Sequence, residues 1–397
     1  MRSLSALVSV ALVATLSAGG GLAAPADAVS RDVWTVPGDS SITIKGRGFG
    51  HGHGMSQYGA EGAARDGLTA KQIVDFYYPG TSWGASKGKV SVLLTADTSD
   101  DVVVRPRSGL AVHDSAVKGK TELPDNGARQ WRIATARGVT KVAYLTKRWH
   151  TWKVLDGQGD FRAGGDPIRL VTPSGDRAYR GRIVAADMAS GERVTVNLVS
   201  LENYLRGVVP LEIPASWSPA AVQAQAVAAR TYASYERNHP QSSAYQICDT
   251  SSCQVYGGYD AEYPASNDAV DATRHQILLA GGEPAFTQFA SSSGGWTSAG
   301  SVSYLPAKRD PYDGWSGNPV HTWTLKVDDG QVERTWPSLG NLARIAVTGR
   351  DGNGAWGGRV TSITLTGSSG KVTVSGDTFR SMLGLRSTWL TFKVAAR

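Results

Sequence analysis

Residues 201–237 read LENYLRGVVPLEIPASWSPAAVQAQAVAARTYASYER, and this stretch decides how the rest of the chain is understood. One acid, Glu212, follows Val208-Val209-Pro210-Leu211 and precedes Ile213-Pro214, a few residues ahead of an alanine-packed helix. A carboxylate among so many apolar neighbours is expected to be partly desolvated. Desolvation disfavours the charged form, raises the pKa and suits the group to donate a proton near neutral pH. Ser218-Pro219 marks a helix start with proline at the first helical position. From there Ala220, Ala221, Ala224, Ala226, Ala228 and Ala229 leave little side-chain volume. Such a helix must be approached closely by other backbone, so it is expected to be central and buried. Gln223 and Arg230 lie two turns apart on one of its faces, where they are expected to flank Glu212 in a cleft. Upstream, Ser200 is placed to cap a short helix with Glu202 in its first turn, where an acid complements the dipole.

Outward from this core, residues 41–45 (SITIK) read as a strand before the Gly-rich run GRGFGHGHGMSQYGAEGAARDG at 46–67. A short helix is expected from Met55 to about Arg65. Thr69 and Gln72 have the spacing of a capping box for a second helix that stops before Pro79-Gly80. Residues 90–95, 102–105, 141–146 and 193–199 are rich in β-branched side chains and bounded by Gly, Asp and Pro, the pattern of antiparallel strands. Beyond the central helix, Ser266 and Asp268 begin another helix to about Arg274. Residues 276–280 and 284–290 then read as a hairpin through Gly281-Gly282, ending in the polar turn SSSGGWT at 291–297. Near the C-terminus, strands at 359–366 and 371–375 precede a helix with Phe379, Met382 and Leu383 as its buried stripe and Gly384 as its stop. The expected class is α+β, with mixed, mostly antiparallel sheets, a buried Ala-rich helix and several short helices. The expected divisions are a leader peptide at 1–28, a flexible segment at 29–40, a Gly-rich core segment at 41–85, a β-rich region at 86–178 and the main core at 179–394.

The first residues speak to compartment. Arg2 is followed by the apolar run 6–16, and Ala26-Asp27-Ala28 fits the small-x-small pattern of a secretory cleavage site, placing the mature start near Val29. No run reaches the roughly 18 apolar residues a spanning helix needs. A secreted chain with no transmembrane anchor is expected. The net charge is +7 over 397 residues, and a basic secreted protein is drawn to anionic surfaces such as wall polymers or acidic glycans. The two cysteines, Cys248 and Cys253, close a small CDTSSC loop as a disulfide in an oxidising compartment, whereas zinc would need more donors. No metal and no cofactor are expected. HExxH, GxxxxGK[ST] and CxxC are missing. The basic residues look dispersed and form no recognised module, so no nucleic-acid partner is expected.

Three segments together carry a resemblance. VVPLEIPASWSPAAVQAQAVAARTYA (208–233), GHGHGMSQYGAEGAARDG (50–67) and IVDFYYPGTSW (73–83) resemble signatures of the SpoIID (stage II sporulation protein D) and LytB amidase-enhancer family of bacterial cell-wall proteins. YRGRIVAADMASG (179–191), FASSSGGWT (289–297) and GDTFRSMLGLRSTW (376–389) are similar to further family segments, so the likeness covers roughly 42–83 and 179–393. The resemblance implies a peptidoglycan lytic transglycosylase, which cuts the β-1,4 bond between N-acetylmuramic acid and N-acetylglucosamine and leaves a 1,6-anhydro end. It assigns the catalytic glutamate to Glu212 and a supporting arginine to Arg230. His51, Ser56 and Gln57 of the Gly-rich run, Gln223, Gln254, Ser292 and Ser293 become candidate substrate-binding residues, with Trp217 and Trp296 as candidate stacking platforms. The chain departs from its relatives in three ways. GHGxGMSQ precedes the core here and closes the chain in many of them; Gln223 stands where many have Lys; and some place a Cys/His metal site where this chain has Cys248, Ser252 and Cys253. Two other functional classes fit the same residues: a non-catalytic wall-binding protein that enhances a cell-wall amidase, and a hydrolase using a second acid such as Glu202, Asp249 or Glu262.

Overall fold

A computed structural model describes residues 32–397 of the chain; the expected leader peptide at 1–28 lies outside the described residues. The class is α+β, with seven α-helices and mostly antiparallel strands among the described residues. The helices are α1 (Gln57–Arg65), α2 (Ala70–Tyr77), α3 (Leu201–Glu212), α4 (Pro219–Asn238), α5 (Pro264–Ala272), α6 (Asp329–Thr335) and α7 (Gly376–Met382). Helix α4 is the centre. Its alanines at 221, 224, 226, 228, 229 and 233 are buried, and α1, α2, α3, α5 and the strand Gln276–Ala280 all pack against it. Small side chains permit that number of close neighbours.

Local signals worked where the physics is local. Ser200 caps α3 by accepting from the Asn203 N–H, and Thr69 with Gln72 forms the full capping box of α2. Ser56 caps α1, so that helix starts at Gln57 and Met55–Ser56 becomes a short strand parallel to Phe289–Ala290. At α7 the stripe is narrower than expected: Phe379 and Leu383 are buried, but Met382 is 53% exposed.

Two features differ from expectation in ways that matter for the site. Helix α3 is not short. It runs through Pro210 and ends on Glu212, so the acid closes the preceding helix and does not lead into α4. A proline here removes only one bond, to the carbonyl four residues back, and the helix ends two residues later. The second concerns residues 32–40, the described part of the segment expected to be flexible. Val33–Thr35 pairs antiparallel with Leu342–Arg350, and Trp34 packs edge-on against Phe392 at 5.0 Å.

The strands at 86–178 divide between two sheets. Lys89–Leu93 lies between Arg193–Ser200 and Ile247–Cys248 in a seven-stranded sheet, so strands from both sides of residue 178 share it. A six-stranded sheet runs in the order Trp149–Leu155, Val139–Leu145, Gln130–Ala136, Val102–Val104, Ile168–Thr172, Gly175–Tyr179. At the other end of the molecule a second core gathers Ile42, Ile44, Trp336, Ile363, Phe379 and Phe392. There Ser40–Arg47 sits between Thr322–Asp328 and Leu390–Ala396, and its C-terminal end delivers the Gly-rich run to α4.

Candidate active site

Glu212 opens into a cleft of about 220 Å³ whose walls come from distant parts of the chain. Besides Glu212 it is lined by His51, Tyr232, Gln288 and Phe289 and by Ser251, Ser252, Cys253 and Val255. Glu212 is the only acid among its lining residues. Four roomier cavities lie elsewhere among the described residues, of about 440 Å³ beside Leu110 and Trp131, 410 Å³ beside Arg105 and Tyr259, 350 Å³ beside Trp83 and Val227, and 270 Å³ beside Trp323 and Leu385, and none of them is lined by a glutamate or a histidine.

Two groups hold the carboxylate. The Val255 N–H donates to Oε1 at 3.1 Å, and Gln57 Nε2 reaches Oε2 at 3.4 Å. Burial raises the Glu212 pKa above the ordinary glutamate value, and these two bonds only partly oppose it. Among the described residues no Lys, Arg or His pairs with it. Its place in the last turn of α3 adds to the effect, because the carbonyl end of a helix disfavours a negative charge. Val255 is brought into range by a close backbone contact: the Gly257 N–H donates to the Gly207 carbonyl at 3.0 Å. A Cβ on Gly207 would come within 2.6 Å of Tyr256 and 2.7 Å of the Gly258 carbonyl, so glycine there lets the loop approach α3.

His51 shares the cleft but is not free for acid–base work. Its Nδ1 accepts from the His53 N–H at 2.9 Å, and the Phe289 backbone engages the ring as well. Burial first, then the nearby His53, Arg380 and Arg359, push its pKa down to about 3, so the ring stays neutral. Gln57 stands at the start of α1, which the Glu61 carboxylate ties to the start of α4 by accepting from the Ser218 N–H at 2.8 Å.

The other sequence candidates divide differently. Ser56, Ser292 and Ser293 are buried in a network beneath the Gly-rich run. Ser56 and Ser292 donate to Asp313 at 2.7 and 2.9 Å, and Ser293 donates to Asp310 at 2.7 Å. Burial works to raise both acids. It takes Asp310 to about 6, whereas bonds from His321, Ser56 and Ser292 outweigh it and hold Asp313 below the usual range. Gln254 is also buried, accepting from Tyr204 Oη at 3.1 Å and donating to the Ala229 carbonyl at 3.2 Å; it braces the loop that presents Val255. Gln223 is half-buried on α4 and does not line the cleft. Trp217 packs tilted against Tyr58 at 4.8 Å and meets Trp315 edge-on, while Trp296 is half-buried beside Gly354.

Arg230 requires the clearest correction. It does not hold Glu212. Its guanidinium is fully buried and grips Glu202, with Nε to Oε1 at 3.1 Å and Nη2 to Oε2 at 2.8 Å. Glu202, whose place in the first turn of α3 suggested only dipole complementarity, is therefore its ion partner. The acids proposed for a two-carboxylate hydrolase are also engaged elsewhere: Glu202 here, Glu262 with Arg180, and Asp249 with Thr95. Sequence reasoning missed Val255, because its contribution is a backbone N–H that any residue could supply. It also missed Asp310 and Asp313, for which only the DPYD run at 310–313 offered a hint.

Cys248 and Cys253 are joined, with Cα atoms 5.6 Å apart. Both thiols are spent on each other, and Gln241 Nε2 donates to Cys253 Sγ at 3.2 Å.

The Gly-rich run earns its glycines at Gly54. Its φ is +66°, and a Cβ there would lie 2.0 Å from the Gln288 carbonyl. Gly54→Ala is expected to lower stability by about 2–3 kcal/mol, from backbone strain and the forced displacement together. Gly119→Ala, with φ +90° and nothing within 4 Å, isolates the strain alone. Thermal melts giving the two variants equal losses would refute the steric part.

Residues 189–279 match the family model SpoIID, described as stage II sporulation protein. Over this segment the chain is similar to the SpoIID family. The SpoIID segment contains α3, α4, α5 and the disulfide, and hence Glu212 and Val255, whereas His51 and Gln57 reach the cleft from outside it. The chain is 38% identical over 135 residues to the amidase enhancer of Bacillus subtilis (strain 168), covering 32% of this chain and 17% of that protein. It is 30% identical over 218 residues to stage II sporulation protein D of the same organism, covering 49% of this chain and 60% of that protein. The Bacillus amyloliquefaciens protein of the same name is 28% identical over 217 residues, with the same coverage. The chain thus spans between about a sixth and three-fifths of the length of these relatives.

Proposed function

We propose that this protein remodels bacterial cell wall as a peptidoglycan lytic transglycosylase, with Glu212 as its single acid/base. The observation that carries the reading is one carboxylate, raised by burial and without a cationic partner, as the only acid lining the cleft. A neutral Glu212 gives its proton to the glycosidic oxygen as the bond to C1 breaks. The resulting carboxylate takes the proton of the sugar's own C6 hydroxyl as that oxygen closes on C1. No water is consumed, and the same group serves both steps. A hydrolase would need a second carboxylate across the bond, and Glu202, Asp249 and Glu262 are occupied elsewhere.

Mass spectrometry of digested glycan strands tests this reading, run on intact and peptide-free material. Anhydro ends lighter by one water than reducing ends are expected. Reducing ends from a purified preparation would replace the lyase by a hydrolase. The second reading, a non-catalytic enhancer of a cell-wall amidase, is favoured by the name of the Bacillus subtilis amidase enhancer. It requires no released glycan fragments, together with faster cleavage by an added amidase.

The pH dependence follows from the protonated acid. Activity falls as pH rises through the Glu212 pKa, on a limb above the ordinary glutamate range. Gln57→Leu removes one of the two bonds that favour the charged form, so the limb moves to higher pH. A profile of kcat/KM against pH checks the direction; a downward shift would contradict the assigned role of Gln57.

A further inference from the structure

From Asn126 to Leu155 the chain has seven Lys or Arg residues and not one Asp or Glu. Seven is also the net charge of the whole protein. The dispersal of basic residues expected from the sequence therefore does not hold here. Three consecutive strands, Gln130–Ala136, Val139–Leu145 and Trp149–Leu155, fold this run into the edge of the six-stranded sheet. Among the described residues only Arg132 of these seven cations has a carboxylate partner, Asp101 at 3.0 Å. Arg129, Arg137, Lys141, Lys147 and Arg148 are exposed and enter no ion pair among the described residues.

The register places the charges. Lys141 shares a face with Ala143 and Leu145, which pair with Arg132 and Trp149, so Arg132, Lys141 and Trp149 lie on one side. Arg137 marks the turn at one end of this face; Lys147 and Arg148 mark the turn at the other. The aromatic rings do not offer stacking platforms. The Arg132 guanidinium covers Trp149 at 4.3 Å, and Trp131 is buried on the opposite face against Trp152. Exposed positive charge without open rings binds a polyanion by its phosphates and not by planar bases.

We infer that this three-stranded edge is a docking surface for a phosphodiester polymer without bases, of the poly(glycerol phosphate) kind. It recognises charge spacing along a flexible chain, holds the protein to the polymer, and stands independently of what Glu212 does.

The test uses the full chain with isolated poly(glycerol phosphate), and with duplex DNA at equal phosphate concentration, titrated across a range of NaCl. One variant combines Arg137→Gln, Lys141→Gln, Lys147→Gln and Arg148→Gln. A control combines Lys45→Gln, Lys326→Gln, Lys371→Gln and Lys393→Gln, removing equal charge from exposed positions on other sheets. The expected result is at least tenfold weaker polymer binding by the first variant. Its slope of log affinity against log salt becomes shallower by about 3, with the control unchanged. Equal losses in both variants would show that net charge alone binds. Tighter binding to DNA than to the polymer would overturn the occupant. Charged edge strands also discourage sheet-to-sheet aggregation; a first variant that self-associates in light scattering, from a wild type that binds no polymer, would overturn the proposal in favour of that role.

Discussion

Glu212→Gln is expected to lower glycan cleavage by roughly 10²–10⁴-fold, and by the upper end of that range, because one group performs both proton transfers. The amide keeps the size of the side chain and an oxygen to accept from Val255. It has no proton acidic enough to release and no basicity to take one back. The effect on stability has the opposite sign. A carboxyl whose folded pKa is raised above its unfolded value binds more protons when folded, so stability falls as pH rises from the unfolded pKa through the folded one. Glu212 is such a group. At neutral pH the variant should therefore melt at the same temperature as the wild type or above it. Inactivity with an unchanged or higher Tm is the predicted signature. Full activity on purified strands would remove the proposed chemistry; inactivity with a collapsed Tm would leave a structural role for the carboxylate.

Arg230→Met should produce the reverse pattern, a large loss of stability with chemistry intact in whatever remains folded. The guanidinium joins four elements. Beyond Glu202 of α3 it donates to the Val270 carbonyl of α5 at 3.0 Å, to Thr273 Oγ1 at 3.3 Å and to the Gln276 carbonyl at 3.3 Å. Removing it strands the Glu202 carboxylate in a buried site, which costs about 3–5 kcal/mol. Arg230→Lys keeps the charge but not the two-pronged geometry and should fall between. The double variant Arg230→Met with Glu202→Leu should recover part of the loss, since no charge is then left unpaired. Chemical denaturation of all four proteins measures this directly. A folded Arg230→Met protein with near-normal stability and no activity would return Arg230 to the catalytic machinery.

These two residues also show what the sequence makes legible. Glu212 could be found because its apolar surroundings are adjacent in the chain, and its pKa follows from them. The cap at Ser200, the box at Thr69 and the alanine face of α4 are likewise local, each needing only a few residues and a helical period. Arg230 was visible as a polar residue on an otherwise small-residue helix, but its partner depends on how α3 crosses α4. Glu202 lies 28 residues away, and no pattern within either helix encodes that crossing. The helix capped by Ser200 was expected to be short, yet it continues through Pro210, which falls near its end, where a missing N–H costs one bond. The Val255 donor left no trace because backbone groups are the same at every position. The resemblance that joined 50–57 to 208–233 pointed toward a meeting that local rules could not reach, and the contact between Gln57 and Glu212 is where it occurs.

The strand Ser40–Arg47 has a mechanical consequence. It runs antiparallel to the last strand, with Ser40 opposite Ala396 at one end and Gly46 opposite Leu390 at the other. A pull applied at Ser40 and at Ala396 themselves loads that end of the ladder first. The rungs then open one after another, in the manner of a zip. The final rung stands immediately before the glycine run that carries His51 and Gln57. Tension on the two ends is therefore dissipated along the whole strand before it can disturb the residues around Glu212, and the cleft is the last part of this segment to feel the load.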